Sequence, residues 1–221
     1  MRTIRVTGKG RLKVRPDMTR ITITLTGIYK EYAEALKHSA EDTEKIKALL
    51  SGFDFQPSDL KTLNFNVDTE YESYTERNEY KQRLAGYRYR HIMKIEFRSD
   101  NDRLGRILYA LARCELNPEF NISYFVGDRE SAMNELIGKA VADAEEKANV
   151  LAAAAGLRIG EIQTVDYSLG EIGMEVRPVS GMLRAKTMTD AGSEDGAGYG
   201  MNIEPDDITV SDTVTVIWKI G

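Results

Sequence analysis

Residues 21–50 read ITITLTGIYKEYAEALKHSAEDTEKIKALL, and the period of the apolar positions changes once along them. Ile21, Ile23 and Leu25 alternate with Thr22, Thr24 and Thr26. That two-residue repeat, with β-branched residues on both faces, is a half-buried strand. From Glu31 to Leu50 the steps become three and four, so Ala33, Leu36, Ala40, Thr43, Ile46 and Leu50 form one helical stripe. Glu34, Lys37, Glu41, Glu44 and Lys45 take the opposite face, and Gly52 supplies a stop.

Upstream, Ile4 and Val6 alternate with Arg5 and Thr7, Gly8-Lys9-Gly10 reads as a turn, and Leu12 and Val14 resume the alternation before Pro16-Asp17. Downstream, Leu63, Phe65 and Val67 alternate with Asn64, Asn66 and Asp68. Tyr87, Tyr89, His91, Met93, Ile95 and Phe97 then share one strand face, opposite Arg88, Arg90, Lys94 and Glu96. The polar segment from about Ser73 to Gln82 between these runs is the tip of a long hairpin. A capping box at Ser99–Asp102 opens a second helix on Leu104, Ile107, Leu108 and Leu111. Phe120, Ile122 and Tyr124 mark a strand. A third helix spans Glu130 to Ala155 on Met133, Leu136, Ile137, Ala140, Val141, Ala144, Ala148, Leu151 and Ala155, with Gly156 at its end. Ile162 to Leu169 is a further strand. The period is lost from about 170 to 205 in a glycine-rich, acidic stretch read as a flexible loop. Val210, Val214, Val216, Trp218 and Ile220 form the last strand, and Asp212 on the same face implies a bulge or an edge. The order predicts an α+β fold over 1–221 as a single domain: an antiparallel sheet with about three helices packed on it and a long protruding β-hairpin.

The 221 residues are 42% hydrophobic and 29% charged, which excludes a mostly disordered chain. A net charge of −5 argues against a generic nucleic-acid binder. The single cysteine, Cys114, excludes an intramolecular disulfide and a cysteine-rich zinc site, and it reads as a small buried hydrophobe. No apolar run reaches the ~20 residues of a membrane helix. No signal segment is visible at Met1, so the chain as written reads as cytoplasmic, the alternative being an exported protein whose leader has been removed.

Gly8-Lys9-Gly10 lacks the spacing of a phosphate loop. His91, on an apolar strand face without a neighbouring ligand, reads as a hydrogen-bonded core or edge histidine, and His38 as a surface residue. Glu194, Asp195, Glu204, Asp206 and Asp207 lack the alternating ligand pattern of a calcium loop. These patterns assign no catalytic residue, metal ligand or cofactor. Tyr71, Tyr74, Arg77, Tyr80, Arg83, Tyr87 and Tyr89 gather on the hairpin and its return strand. Tyrosine and arginine suit interfaces and exposed strands invite pairing, so these residues are the candidates for self-association. The same residues could stack single-stranded nucleic acid, but Glu70, Glu72, Glu76 and Glu79 dilute their charge.

Several segments together resemble the SIMPL-domain family, named for a signalling molecule associated with a pelle-like kinase. They are Val6-Thr7-Gly8-Lys9-Gly10 with Pro16-Asp17, Asp59-Leu60-Lys61-Thr62 before the strand at Phe65, Gly86-Tyr87, Asp102-Arg103-Leu104-Gly105, and Ile203-Glu204-Pro205. The fullest match runs from Lys139 to Ala148 and through Leu151-Ala152 to Gly156. The resemblance implies an α+β protein that self-associates. It also implies that bacterial members are often exported to the envelope or periplasm and linked to stress tolerance. It carries over no catalytic residue, and the animal members' kinase connection has no supporting motif here. The leading expectation is a non-enzymatic, homo-oligomerising protein with a scaffold or binding role in stress response. The alternatives are a small-ligand protein or enzyme with a cleft near the 190–200 loop, and single-strand nucleic-acid binding through the hairpin.

Overall fold

A computed structural model describes residues 2–76, 79–168, 172–176 and 204–221. Arg77, Ile203, and most of the glycine-rich loop with Glu194 and Asp195, lie outside the described residues. The elements in chain order are β1 (Thr3–Val14), β2 (Met18–Tyr29), α1 (Tyr32–Ser51), β3 (Lys61–Glu76), β4 (Glu79–Arg98), α2 (Asn101–Ala112), β5 (Glu119–Phe125), α3 (Arg129–Ala154), β6 (Ile159–Asp166), β7 (Glu175–Val176) and β8 (Ile208–Ile220). The fold is α+β, with three helices among the described residues and antiparallel strand pairing as expected. The chain divides into two compact units, one built from 1–17, 125–176 and 205–221, the other around 18–124.

In the first unit the sheet order is β1-β8-β6. Val6, Gly8, Gly10 and Leu12 face α3, whose inward stripe is Leu136, Ala140, Ala144 and Ala148, all at 0% exposure. Gly8-Lys9-Gly10 makes no turn: β1 runs unbroken through it, paired Gly8↔Val214 and Gly10↔Asp212. The glycines are there for approach. A Cβ on Gly8 would stand 2.0 Å from the Ala140 carbonyl oxygen, and one on Gly10 would stand 2.2 Å from that of Leu136. Small residues on both elements therefore let helix and strand backbones touch. Lys9 N–H donates to Asp143 Oδ2 at 2.6 Å, so the helix also caps part of the open β1 edge. Lys147 and then Lys9 N–H hold the Asp143 carboxyl below the usual range. Asp212 needs no bulge, because the β1–β8 register is continuous and Tyr167 Oη–H donates to Asp212 Oδ2 at 3.0 Å. The inward stripe of α3 ends on Ala152, whereas Leu151 is half exposed.

In the second unit the strands run β3-β4-β2-β5, with α1 and α2 over one face. Ile21 pairs with Ile95 and Ile23 with Met93; with Ile46, Leu50, Leu104, Ile107 and Leu111 they form a core at 0–1% exposure. Each such side chain contributes about 1.5–3 kcal/mol of burial. The cap of α2 is Asp100, whose side chain accepts from Arg103 N–H at 2.9 Å; Ser99, the expected cap, instead bonds Thr19.

Gly8→Val tests the close approach. Valine is the better strand former, so local preference predicts a gain. Packing predicts a loss of about 3 kcal/mol or more. Urea denaturation should show that loss, while Thr7→Val, on the other face, stays within about 0.5 kcal/mol of the parent.

Candidate functional site

The hairpin of β3 and β4 outruns the sheet it belongs to. Strand β2 ends at the pair Tyr29↔Tyr87, whereas the β3–β4 ladder continues to Glu76↔Glu79. The break comes at a register shift between Glu70 and Tyr71, opposite Gly86. Gly86 has φ +154°, and a Cβ there would stand 2.3 Å from the Tyr29 carbonyl oxygen. Beyond it the hairpin is two-stranded among the described residues. Cross-strand ion pairs hold it, Lys81–Glu76 at 2.7 Å and Arg83–Glu72, and Arg88–Glu70 at 2.6 Å lies at the break, on its sheet side. Arg83 also lies over the Tyr74 ring at 5.4 Å.

The structure spreads the described sequence candidates over four environments. Tyr71 and Tyr80 are exposed, at 57% and 89%, with Leu84 beside them at 48%. Tyr74 and Arg83 belong to the ion-paired surface, and Arg77 lies outside the described residues. Tyr87 is half-buried and meets Tyr32 edge-on. Tyr89 is a correction. At 2% exposure it belongs to the core, because its strand face points under α1.

Tyr89 Oη–H donates to Asp42 Oδ2 at 2.6 Å. Burial, and then this bond, push the phenol well above its ordinary pKa. Asp42 sits on the inward stripe of α1, which is Ala35, Ser39, Asp42, Ile46 and Leu50. The expected stripe began on Ala33, Leu36 and Ala40, and these three face outward instead. Apolar periodicity misses the phase because a carboxylate with a buried partner takes a core position. Tyr29 stacks on His38 with ring centres 4.2 Å apart, so His38 is half-covered rather than fully solvated.

The rotated helix opens a groove of about 780 Å³ beside β3. Leu36, Ala40 and Phe65 form its apolar walls and His91 its base. The bulge in β3 between Thr62 and Asn64 re-aims Thr62 onto the helix side, while Leu63, the expected inward residue, is half exposed. Thr62 Oγ1 lies 2.9 Å from His91 Nε2, and Thr43 Oγ1 lies 3.0 Å from Nδ1. Phe65 meets the imidazole edge-on at 5.2 Å. Thr43 spends its one hydroxyl proton on the Ser39 carbonyl at 2.7 Å. Nδ1–H of His91 therefore donates to Thr43, Nε2 accepts, and Thr62 Oγ1–H donates to it. This order places a hydroxyl, a base and an orienting group in line. The orienting group is itself a hydroxyl, which cannot stabilise an imidazolium as a carboxylate does. The histidine is thus a satisfied, hydrogen-bonded residue, as its strand position implies. Burial first, and the Lys47 cation second, hold its pKa below the usual imidazole value. Ser39 and Thr62 escape a reading of the sequence because each looks like an ordinary surface residue of its element, and Thr43 is read there only as part of the helical stripe, without its histidine partner.

Cys114 is partly buried against the core of this unit. Asp207 meets Lys13 at 3.1 Å. No group of three or more histidine, cysteine or acidic residues is placed to hold a metal ion among the described residues. Among them, too, no helix is long and apolar enough to cross a membrane.

Comparison with known proteins adds a family. Residues 4–218 match the family described as SIMPL, protein of unknown function (DUF541). A 26 kDa periplasmic immunogenic protein of Brucella melitensis biotype 1 is 26% identical over 160 residues, 72% of this chain and 64% of the relative. The protein of the same name in Brucella abortus (strain S19) is 25% identical over 160 residues, with the same coverage. The chain thus spans less than two thirds of the length of these relatives.

The His91 geometry sets a pH dependence. An unfolded chain protonates this imidazole below about pH 6.5, while the folded chain resists. His91's contribution to stability is therefore complete above that value and is lost as the pH falls below it. Urea denaturation at about pH 7.5 and about pH 5.5 should show a larger loss on acidification for the parent than for His91→Gln. The difference is bounded by about 1.4 kcal/mol per pH unit for one proton.

Proposed function

The chain belongs to the SIMPL family, and we propose that it acts as a non-enzymatic, homo-oligomerising scaffold or binding protein in stress response. One observation carries the reading. The β3–β4 hairpin continues past its sheet as two strands with exposed Tyr71, Tyr80 and Leu84. A two-stranded ribbon is marginal in water by itself. Among the described residues its outer edge has no further strand beside it, and tyrosine is enriched at interfaces. A second copy of the chain would cover that edge and those rings.

The ion pairs favour this reading over nucleic acid. Lys81, Arg83 and Arg88 each meet a glutamate, whereas a phosphate track needs uncompensated cations. The cleft expected near the 190–200 loop falls outside the described residues. The non-enzymatic reading draws on His91, whose two nitrogens are both taken up by threonine hydroxyls. The name periplasmic, borne by the Brucella relatives, supports an exported location. The stress-response setting rests on the family resemblance.

The test is molar mass in solution by light scattering after size exclusion. Ser73 and Gln82 are partners in the ladder, so Asn-Gly can replace the residues between them as a two-residue turn. The intact chain is expected to be a defined oligomer, and the shortened chain a folded species of lower order. A strictly monomeric parent across micromolar concentrations overturns the proposal, and so does a shortened chain of unchanged order.

A further inference from the structure

In the first unit α3 covers one face of the sheet, and the other face is sorted by charge from edge to edge. Along β1 the residues Val6, Gly8, Gly10 and Leu12 are buried, so Arg5, Thr7, Lys9, Arg11 and Lys13 stand exposed on the opposite side. Neighbours in that row lie about 7 Å apart, the rise of two strand residues. The register sets Thr215, Thr213, Ser211 and Thr209 of β8 beside Thr7, Lys9, Arg11 and Lys13. A row of cations thus runs next to a row of hydroxyls. Acids enter on β6, at the far edge, as Glu161 and Asp166. Among the described lysines of this unit, Lys13, Lys139, Lys147 and Lys219 each meet a carboxylate, and Lys9 meets none. No ion pair holds Arg11 either among the described residues. It acts on the charge of Asp143, but that carboxylate is already engaged by Lys147 at 2.6 Å and by Lys9 N–H at 2.6 Å. Arg5 reaches Asp166 at 4.0 Å and Lys13 meets Asp207 at 3.1 Å, so the ends of the row are partly neutralised and its middle is not. In a chain of net charge −5, neighbouring cations left bare make a place for an anion from outside.

We propose that this row binds a linear anionic polysaccharide, its acidic groups on Lys9 and Arg11 with Arg5 beside them, and its sugar hydroxyls on Thr7, Thr213 and Ser211. A single line of charge fits a chain rather than a plane. An anionic bilayer pressed on the whole face would also meet Glu161 and Asp166, whereas a chain laid along β1 avoids them. A single-stranded nucleic acid needs rings on which to stack its bases, and the exposed residues of β1 and β8 include no aromatic. An acidic peptide would add as a strand on the open edge, but α3 already places Asp143 on the Lys9 N–H there. Hydroxyls both donate and accept, which suits a sugar chain, and clustered lysine and arginine are what heparin-type polymers recognise. The close approach of Gly8 and Gly10 to α3 fixes which face of β1 is turned outward. The row belongs to the first unit and the hairpin to the second, so the two readings fail separately.

The test titrates the full chain into a fluorescein-labelled heparin hexasaccharide and follows its anisotropy. Saturable binding is expected at about 50 mM salt, weakening about tenfold or more by about 200 mM as counterions are released. Lys9→Gln and Arg11→Gln should each weaken binding about three- to tenfold and together about tenfold or more, while Lys37→Gln on α1 leaves it unchanged. All of these side chains are exposed, so the variants should keep the parent's urea midpoint. Unlabelled heparin should protect Lys9 from acetylation and leave the exposed Lys61 reactive. Oligothymidylate and polyglutamate of matched charge, desulfated heparin, and phosphatidylglycerol vesicles serve as competitors. Each is expected to compete about tenfold less well than heparin or worse. Equal competition by any of them overturns the polysaccharide as the occupant. An unchanged affinity in the double variant, protection at Lys61 rather than Lys9, or no saturable binding at the lower salt overturns the site itself.

Discussion

The hydrogen bond from Tyr89 to Asp42, buried and 2.6 Å long, fixes how α1 is rotated on its sheet. A hydrogen bond to a charged partner contributes about 1.5–3 kcal/mol, and leaving either group alone costs a comparable amount. No rotation of the helix that buries more carbon can compete if it strands this pair. With Asp42 turned inward, Ser39 and Ile46 follow on the same stripe, Thr43 reaches His91, and Leu36 and Ala40 are left on the groove side. One polar contact thus decides both the packing of the second unit and the lining of its groove.

The first unit solves its packing by the opposite means. Its interface between β1 and α3 is stripped of side-chain bulk rather than organised by polar bonds. Gly8 and Gly10 face Ala140, Ala144 and the Leu136 backbone, so the two elements approach at backbone distance. The glycines are consequently part of a strand, although their spacing suggests a turn. Specificity there is steric, and Asp143 adds a polar anchor by accepting from the β1 edge.

The hairpin extends the logic of unsatisfied surface. Within the sheet, β4 is sandwiched by β2 and β3 and its inward face is buried. Beyond Gly86 the same strand has one neighbour among the described residues, and glutamate–cation pairs and the Tyr74–Arg83 contact add to the ladder that holds the ribbon. Such pairs on an exposed surface are worth at most about 1 kcal/mol each. They set register more than they confer stability, which is the physical case for a covering partner.

The α+β class, the long hairpin and the cores of β2, β4 and α2 were legible in the sequence, because strand and helix periods are local properties of the chain. His91 could also be read as a hydrogen-bonded strand residue. Tertiary structure alone decided the phase of α1, the buried place of Tyr89, the unbroken strand through Gly8 and Gly10, and the bulge that turns Thr62 inward. Each of these depends on a partner distant in sequence: Asp42 for Tyr89, α3 for the glycines, His91 for Thr62. Local pattern records which residues are apolar. It does not record which polar residue will find its mate inside.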